Sequence, residues 1–326
     1  MRVAVMDDWQ SVALSSTDWT ALQARAEVVV LAGPFADEDA AAAGLADFDA
    51  LIPMRERTAF PGTLIARLPK LRLIALTGGR APSLDLDACT RHGVLVCNTG
   101  GERSSIGTAE LTLGLMLAAA RFIPAGDAAI RAGRFQHGVG VGPVLDGLTL
   151  GIVGLGRIGA RVAGYGRALG MNVLAWSRSL TAEAAQTGGA ALASKDGLLS
   201  RSDVISLHVP LSPQSRGLLG AAELARMKPG ALLVNTSRGP LVDEAALLEA
   251  LHAGRIKAAL DVYGQEPLPP GHPIRSAPNT VLTPHVGYGT TDTFRQFYGE
   301  SVQNVLAFLD GAPQRVLNPA ASGKQP

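Results

Sequence analysis

The chain has 326 residues, room for about two domains, and it is 47% hydrophobic against 17% charged, a balance that supports large cores rather than disorder. Its net charge of +1 gives no electrostatic basis for binding nucleic acid or an anionic membrane. The two cysteines, Cys89 and Cys97, cannot form a disulfide framework, show no CxxC or Cys/His spacing for a metal, and fit a reduced, cytoplasmic setting.

The opening letters, MRVAVMDDW, reach Asp7 and Asp8 too early for a signal-peptide apolar region, and no uninterrupted apolar run approaches the ~18 residues of a membrane span. Short apolar runs then recur: RVAVMD, EVVVLAG, DALIPM, LRLIALTG and GVLVCN. Each is followed by turn residues or a helix-like stretch, the pattern of parallel strands buried on both faces. Residues 104–123, SSIGTAELTLGLMLAAARFI, have Ser at the head and apolar residues nearly all round, which predicts a long buried helix. A second alternating series follows: LTLGIVGLG, MNVLAWSR, SDVISLHVPL, GALLVNTSRG, IKAALDVY and NTVLTPHVG. Residues 290–310 read as a final helix and NPAASGKQP as a frayed tail. The fold class is therefore α/β, with doubly wound parallel sheets.

Within the second series, GIVGLGRIG ends a strand and opens a helix. Gly154 permits the tight turn, Gly156 lets backbone approach a pyrophosphate, and Gly159 allows close helix–strand packing. The amides near Arg157 and Ile158 then meet phosphate at a helix N-terminus. This context points to a dinucleotide site rather than a packing turn.

Such a site usually carries an Asp or Glu about 20 residues on, which holds the adenosine ribose hydroxyls. Here that stretch offers Ser177, Arg178 and Ser179, and the first carboxylate is Glu183. An acid would repel a 2′-phosphate, whereas an Arg flanked by hydroxyls would hold it by charge-assisted hydrogen bonds. The stretch therefore predicts NADP (NADPH). NAD remains the alternative, with Arg178 then a solvated surface residue. Three more polar residues follow strands: Arg238 in NTSRGPLVDE, Glu266 in DVYGQEPLP and His285 in TPHVGYG. Singly, these read as a turn cap, a loop acid and a core histidine. Together, downstream of the glycine turn, they form a candidate catalytic set.

These motifs, with LPKLRLIALTG, GVLVCNTGG and TAELTLGLMLAAAR upstream, resemble the NAD(P)-dependent D-2-hydroxyacid dehydrogenases in order and spacing over nearly the whole chain. The resemblance implies a discontinuous flavodoxin-like substrate domain, residues 1–98 and 290–326, around an inserted Rossmann-like domain, residues 99–289. It also implies a cleft that closes to exclude water, and a homodimer joined through the cofactor domain and the helix near Ser104. Arg238 would bind the substrate carboxylate, His285 would be the general acid of reduction, and Glu266 would pair with His285 and favour its charged form. Asp261 would take the nicotinamide carboxamide. Val209, Pro210 and Ser215 would line the adenosine side, and Thr236, Ser237 and Gly287 would lie near the nicotinamide. Gly78 and Gly79 would present backbone amides to the substrate carboxylate, with help from Arg55. Implied substrates are small 2-keto acids of the glyoxylate or hydroxypyruvate type.

Two departures stand out: the missing ribose acid, and TGGRAPSLDLDA, where Ala81 and Pro82 replace the usual continuation of the loop. Two further readings stay open. One is NAD-dependent oxidation of a phosphorylated hydroxy acid, using Arg55, Arg57 and Arg80 as a phosphate pocket. The other is a non-catalytic dinucleotide sensor. No regulatory domain is expected after Asp310.

Overall fold

The computed structural model describes residues 1–79 and 82–324, with side chains described through residue 321; Arg80 and Ala81, named above, lie outside the described residues. The chain folds as two compact units, Met1–Arg103 with Gly289–Pro326, and Ser104–Tyr288.

The first unit holds β1 (Arg2–Met6), β2 (Glu27–Leu31), β3 (Ala50–Ile52), β4 (Leu73–Leu76) and β5 (Leu95–Asn98), in the order β2-β1-β3-β4-β5. All four pairings are parallel. Strands β1, β3 and β4 are buried almost throughout, as unbroken apolar runs require when both faces of a parallel sheet are covered. All five strands send their carboxyl ends to one edge, so the turns after β1, β3, β4 and β5 lie side by side there.

The helix Thr291–Leu309 matches the predicted final helix. Thr290 caps it by accepting from Thr293 N at 3.2 Å, and Phe294, Phe297, Tyr298, Val302, Val305 and Phe308 form its buried stripe. Beyond it, the segment up to Asn318, the first residue of the stretch read as a frayed tail, is tied to the sheet. Leu317 N donates to Val96 O and Asn98 N to Arg315 O, while Asn318 accepts from Val96 N at 2.8 Å and donates to Val94 O at 2.9 Å. The tail therefore covers the edge of β5, and one buried amide side chain continues the ladder, a long-range use of Asn318 that local composition does not reveal.

The second unit holds β6 (Thr149–Val153), β7 (Asn172–Trp176), β8 (Ala191–Leu192), β9 (Val204–Leu207), β10 (Leu232–Asn235), β11 (Lys257–Leu260) and β12 (Thr280–Leu282). Their order is β12-β11-β10-β9-β6-β7-β8, and every pairing is parallel. Strand order reverses between β6 and β9, the switch point where open α/β sheets bind ligands. Alternate residues feed the two faces: Leu150, Ile152 and Val204 join one core, Val153, Ile205 and Leu207 the other. The two-residue β8 is too short to register as an apolar run.

The predicted helix over 104–123 is instead Glu102–Ala120, followed by a separate helix, Ile123–Arg131. Phe122 between them is left-handed, with φ of 52°, and Pro124 sits in the first turn of the second helix. Arg121 and Pro124 flank the break, and the apolar residues on either side of them let it read as one helix. Among the described residues no single helix is long and apolar enough to cross a membrane; these two pass that test only as a pair bent by 64°.

Candidate active site

The glycine turn sits at the carboxyl end of β6. Gly154 has φ of 97°, and a Cβ there would lie 2.7 Å from Val209 Cγ1 and 2.8 Å from the His208 carbonyl carbon. Only glycine fits both the conformation and the space. A Cβ on Gly159 would collide with the Gly154 carbonyl, so helix Arg157–Ala168 can start this close to the turn only with glycine there. Gly156 is different. It is the N-cap of that helix, no side chain caps it, and nothing stands within 4 Å of a Cβ placed on it. The first-turn amides, Arg157 and Ile158 among them, lack intrahelical acceptors and point at the positive end of a 12-residue helix. This open, positive cradle fits the pyrophosphate of a dinucleotide.

Gly154 N donates to Trp176 O at 2.9 Å, which holds the end of β7 against the turn. Ser177 follows, half-buried, then Arg178 and Ser179, both exposed. Arg178 has no hydrogen-bond or ion-pair partner among the described residues. The first carboxylate, Glu183, belongs to the first turn of the next helix, which Thr181 caps. The structure thus brings the SRS stretch beside the glycine turn and places no acid in it.

After β9, Ser206 Oγ and His208 Nε2 stand 2.9 Å apart, and burial pushes the His208 imidazole down to about 3, so it stays neutral. Val209 O accepts from Ser237 Oγ at 2.6 Å, tying the ends of β9 and β10 together. The Ser215 hydroxyl accepts from Ser212 N and donates to Pro210 O, so it shapes the 210–215 loop. Val209, Pro210 and Ser215, expected on the adenosine side, thus lie together in the segment that follows β9.

The ends of β10, β11 and β12 carry the proposed chemistry. Asn235 Nδ2 donates to Arg238 O and Asn235 Oδ1 accepts from Ser237 N, which fixes the turn after β10. Gly239 lies against the Tyr263–Gly264 backbone, with no room for a Cβ. This contact sets the Arg238 turn directly beside the loop that carries Glu266. In that loop Tyr263 N donates to Glu266 Oε1 at 3.0 Å, and Tyr263 Oη donates to Thr283 O at 2.9 Å. The second carboxylate oxygen, Glu266 Oε2, stands 2.5 Å from His285 Nδ1. A carboxylate facing Nδ1 places the N–H there and leaves Nε2 turned away as the exchanging atom. The His285 and Glu266 side chains keep 21% and 22% exposure, so both stay within reach of a ligand.

His285 has φ of 54°, a left-handed conformation rare for a ringed side chain. Asp261, 1% exposed, explains how it is held. Its Oδ1 accepts from Thr283 Oγ1 at 2.6 Å and Val286 N at 2.9 Å, and its Oδ2 from Gly287 N at 2.8 Å. The carboxylate clamps both sides of the strained residue. Burial nevertheless raises Asp261 above the usual carboxylate range, against the pull of these donors. A further bracket closes the loop: His272 Nδ1 accepts from Ile274 N, and its Nε2 faces Glu244 Oε1 at 3.1 Å.

Sequence reasoning missed the helix side of this site. Thr112 Oγ1 lies 2.8 Å from Thr236 Oγ1, and the Thr108 hydroxyl would meet a Cβ on Gly287 at 3.3 Å. The signal was present as Ser104, Thr108 and Thr112, hydroxyls four residues apart on one face of an apolar helix.

In the first unit, Arg55 follows β3 with φ of 42°, and its N donates to Thr77 Oγ1 at 3.1 Å. Its side chain passes over Gly78, with Cδ 3.0 Å from where a Cβ would be. The Gly78 amide is already donated to Thr99 Oγ1 at 2.6 Å. Thr99 follows β5, the strand beside β4, so the bond ties the ends of these neighbouring strands together. Gly79 has nothing within 4 Å of its Cβ position.

The family whose sequence model matches residues 113–287 is described as D-isomer specific 2-hydroxyacid dehydrogenase, NAD binding domain. A glyoxylate reductase from Aeropyrum pernix is 41% identical over 264 residues, covering 78% of each chain. A D-3-phosphoglycerate dehydrogenase from Archaeoglobus fulgidus is 38% identical over 81% of this chain and 50% of its own length, so the chain spans about half of such relatives. Among solved structures, an oxidoreductase from Ralstonia solanacearum superposes with a TM-score of 0.92 at 41% identity, over 98% of both chains.

Proposed function

Because the chain belongs to the D-isomer specific 2-hydroxyacid dehydrogenase family, we propose that it reduces a small 2-keto acid to the D-2-hydroxy acid, preferring NADPH as the hydride source. The observation that carries this reading is the His285–Glu266 pair set beside the Arg238 turn by the Gly239 contact. A bound dinucleotide supplies the hydride that reaches the keto carbon. The chain's own residues do the rest. Arg238 holds the carboxylate and polarises the carbonyl through a planar fork of N–H donors. Protonated His285 releases a proton from Nε2 to the carbonyl oxygen as the C–H bond forms, and Glu266 keeps Nδ1–H aimed. Asp261 holds the His285 turn, and would also be the residue to meet a nicotinamide carboxamide. Arg55 and Gly79 contribute substrate contacts from the first unit. Residues 1–98 with 290–326 are the substrate domain and residues 99–289 the dinucleotide domain.

The NADPH preference rests on Arg178, exposed beside the glycine turn between two serines, with no acid in the stretch. A homodimer is supported by the exposed apolar side chains Ile123, Ile130, Phe135, Val141 and Val144, five of the eight large ones among the described residues, all within residues 123–144. Cys89 and Cys97 are buried and unpaired, in keeping with a reducing cytoplasm. The named relatives also favour a second reading, NAD-dependent oxidation of a phosphorylated hydroxy acid.

Initial rates of NADPH and NADH oxidation with glyoxylate, hydroxypyruvate and pyruvate, in the wild type and Arg178→Ala, test this reading. The expected result is an NADPH preference that falls about 10-fold or more in the variant, the loss of a charge-assisted phosphate contact. Faster NADH oxidation in the wild type contradicts the preference. Tight dinucleotide binding without turnover on any 2-keto acid contradicts the reductase and favours a sensor.

A further inference from the structure

Glu266 sits in a stretch with no strand or helix of its own, between the end of β11 at Leu260 and the 3-10 turn Pro273–Ser276. Side chains must therefore hold it in place. At the entry, Tyr263 N donates to Glu266 Oε1 and Tyr263 Oη donates to Thr283 O. In the middle, the Arg275 guanidinium donates to the carbonyls of Leu268 and Pro269, the latter at 2.8 Å. At the exit stands His272. Its Nδ1 accepts from Ile274 N at 3.3 Å and so carries no proton there. The neutral ring then bears its proton on Nε2, which donates to Glu244 Oε1 at 3.1 Å.

Glu244 belongs to the other catalytic segment. It follows the 3-10 turn Gly239–Leu241 that begins directly after Arg238, and it opens the helix Glu244–His252. Asp243 caps that helix by accepting from Ala246 N at 2.9 Å, so the Glu244 backbone is fixed. Its Oε2 lies 3.3 Å from where a Cβ on Gly264 would be. One carboxylate thus reaches both limbs of the Glu266 loop, Gly264 on the way in and His272 on the way out. The Glu244 side chain is 41% exposed and that of His272 15%, and a pair this open to water adds little to global stability. What it adds is a second tie, after the Gly239 contact, between the segment of Arg238 and the loop of Glu266.

We propose that Glu244 and His272 are positioning residues, which hold the exit of this loop so that Glu266 Oε2 stays on His285 Nδ1. This deepens the reading above and rests on it. The Tyr263 amide that fixes Glu266 Oε1 belongs to the same loop, so it moves with the carboxylate whenever the loop shifts as a body. The Tyr263 hydroxyl anchors the entry to the strand end that leads to His285, and only an anchor at the exit stops the loop from pivoting about it. A displacement of about 1 Å at a proton-handling pair costs one to two orders of magnitude in rate.

Proton NMR of the full chain reads this without turnover, through the low-field resonance of the His285 Nδ1–H bonded to a carboxylate, assigned by its loss in His285→Ala. The resonance is expected to move upfield in Glu244→Ala and in His272→Asn. The asparagine still accepts from Ile274 N but is too short to reach Glu244. In Glu244→Gln, whose side-chain oxygen still accepts from His272 Nε2, the resonance is expected back at its wild-type position. In steady state with glyoxylate, kcat is expected to fall about 10-fold in Glu244→Ala and His272→Asn, with KM and dinucleotide Kd within about threefold of wild type. The double variant should be no worse than either single one, and Glu244→Gln should keep kcat within about threefold. An unmoved resonance in Glu244→Ala, additive losses in the double variant, or a loss that Glu244→Gln does not restore overturns the proposal. A resonance that responds to Glu244 in a protein that reduces no 2-keto acid supports the positioning role and overturns the proposed reductase instead, so the two failures separate.

Discussion

At the carboxyl edge of the second sheet, side chains hold one another. Asp261 clamps the turn around His285, Glu266 is fixed by Tyr263 N and meets His285, and Ser237 ties β10 to β9. At the carboxyl edge of the first sheet, backbone groups are held by hydroxyls from neighbouring strands: the Gly78 amide by Thr99, the Arg55 amide by Thr77. On the reading proposed above, the second edge handles the proton, and it spends buried polar groups to fix its residues. The first edge is shaped by close backbone approach and leaves side chains such as Trp9 turned outward.

Substitutions can break or sharpen this contrast. The largest effect is expected from Arg238→Gln, which keeps a polar side chain but removes the charged fork: kcat/KM for a 2-keto acid should fall about 10²–10⁴-fold with dinucleotide affinity retained. Glu266→Gln should cost less, about 10–10²-fold in kcat, because His285 loses its anionic partner but keeps its place in the turn. Gly239→Ala comes next. A Cβ there meets the Tyr263–Gly264 backbone, so thermal unfolding should show a loss of about 1–3 kcal/mol and kcat should fall with it. A kcat unchanged in a destabilised Gly239→Ala would mean that the contact does not set the Arg238 turn against the Glu266 loop.

The smallest effect tests the first edge. Burial raises Asp7 above the usual carboxylate range. The folded state then holds its proton at a pH where the unfolded state has released it. Ionisation of Asp7 therefore opposes folding, and its contribution to stability falls as pH rises from the ordinary Asp range through the raised value. Asp7→Asn should remove that slope and raise stability at neutral pH, as read in denaturant titrations run from acid to neutral. A variant less stable at neutral pH would show that the Thr58 and Arg57 contacts outweigh the cost of burial.

Much of this was legible in the letters, for identifiable reasons. The glycine turn was readable because three positions demand glycine on three different grounds: a left-handed φ at Gly154, an open cradle at Gly156 and a close contact at Gly159. Arg238, Glu266 and His285 were readable because they follow strands whose apolar runs mark the sheet. What was not legible depends on partners distant in sequence. Thr99, at the end of β5, takes the amide of Gly78, 21 residues earlier. Asn318 completes an edge strand more than 200 residues away. The helix break at Phe122 depends on a single left-handed residue, and the apolar residues on both sides of it read as one helix. The clamp that Asp261 forms on the turn after His285 was not legible either, because nothing local says which backbone amides its oxygens engage.

The most direct test of the central claim compares NADPH oxidation by the wild type and His285→Ala with the same 2-keto acid, with dinucleotide binding measured on both. If His285 delivers the proton, kcat falls about 10²–10⁴-fold in the variant while the dinucleotide binds as before. Wild-type turnover in His285→Ala would remove this residue from the reaction and leave the Glu266 pair without a catalytic purpose.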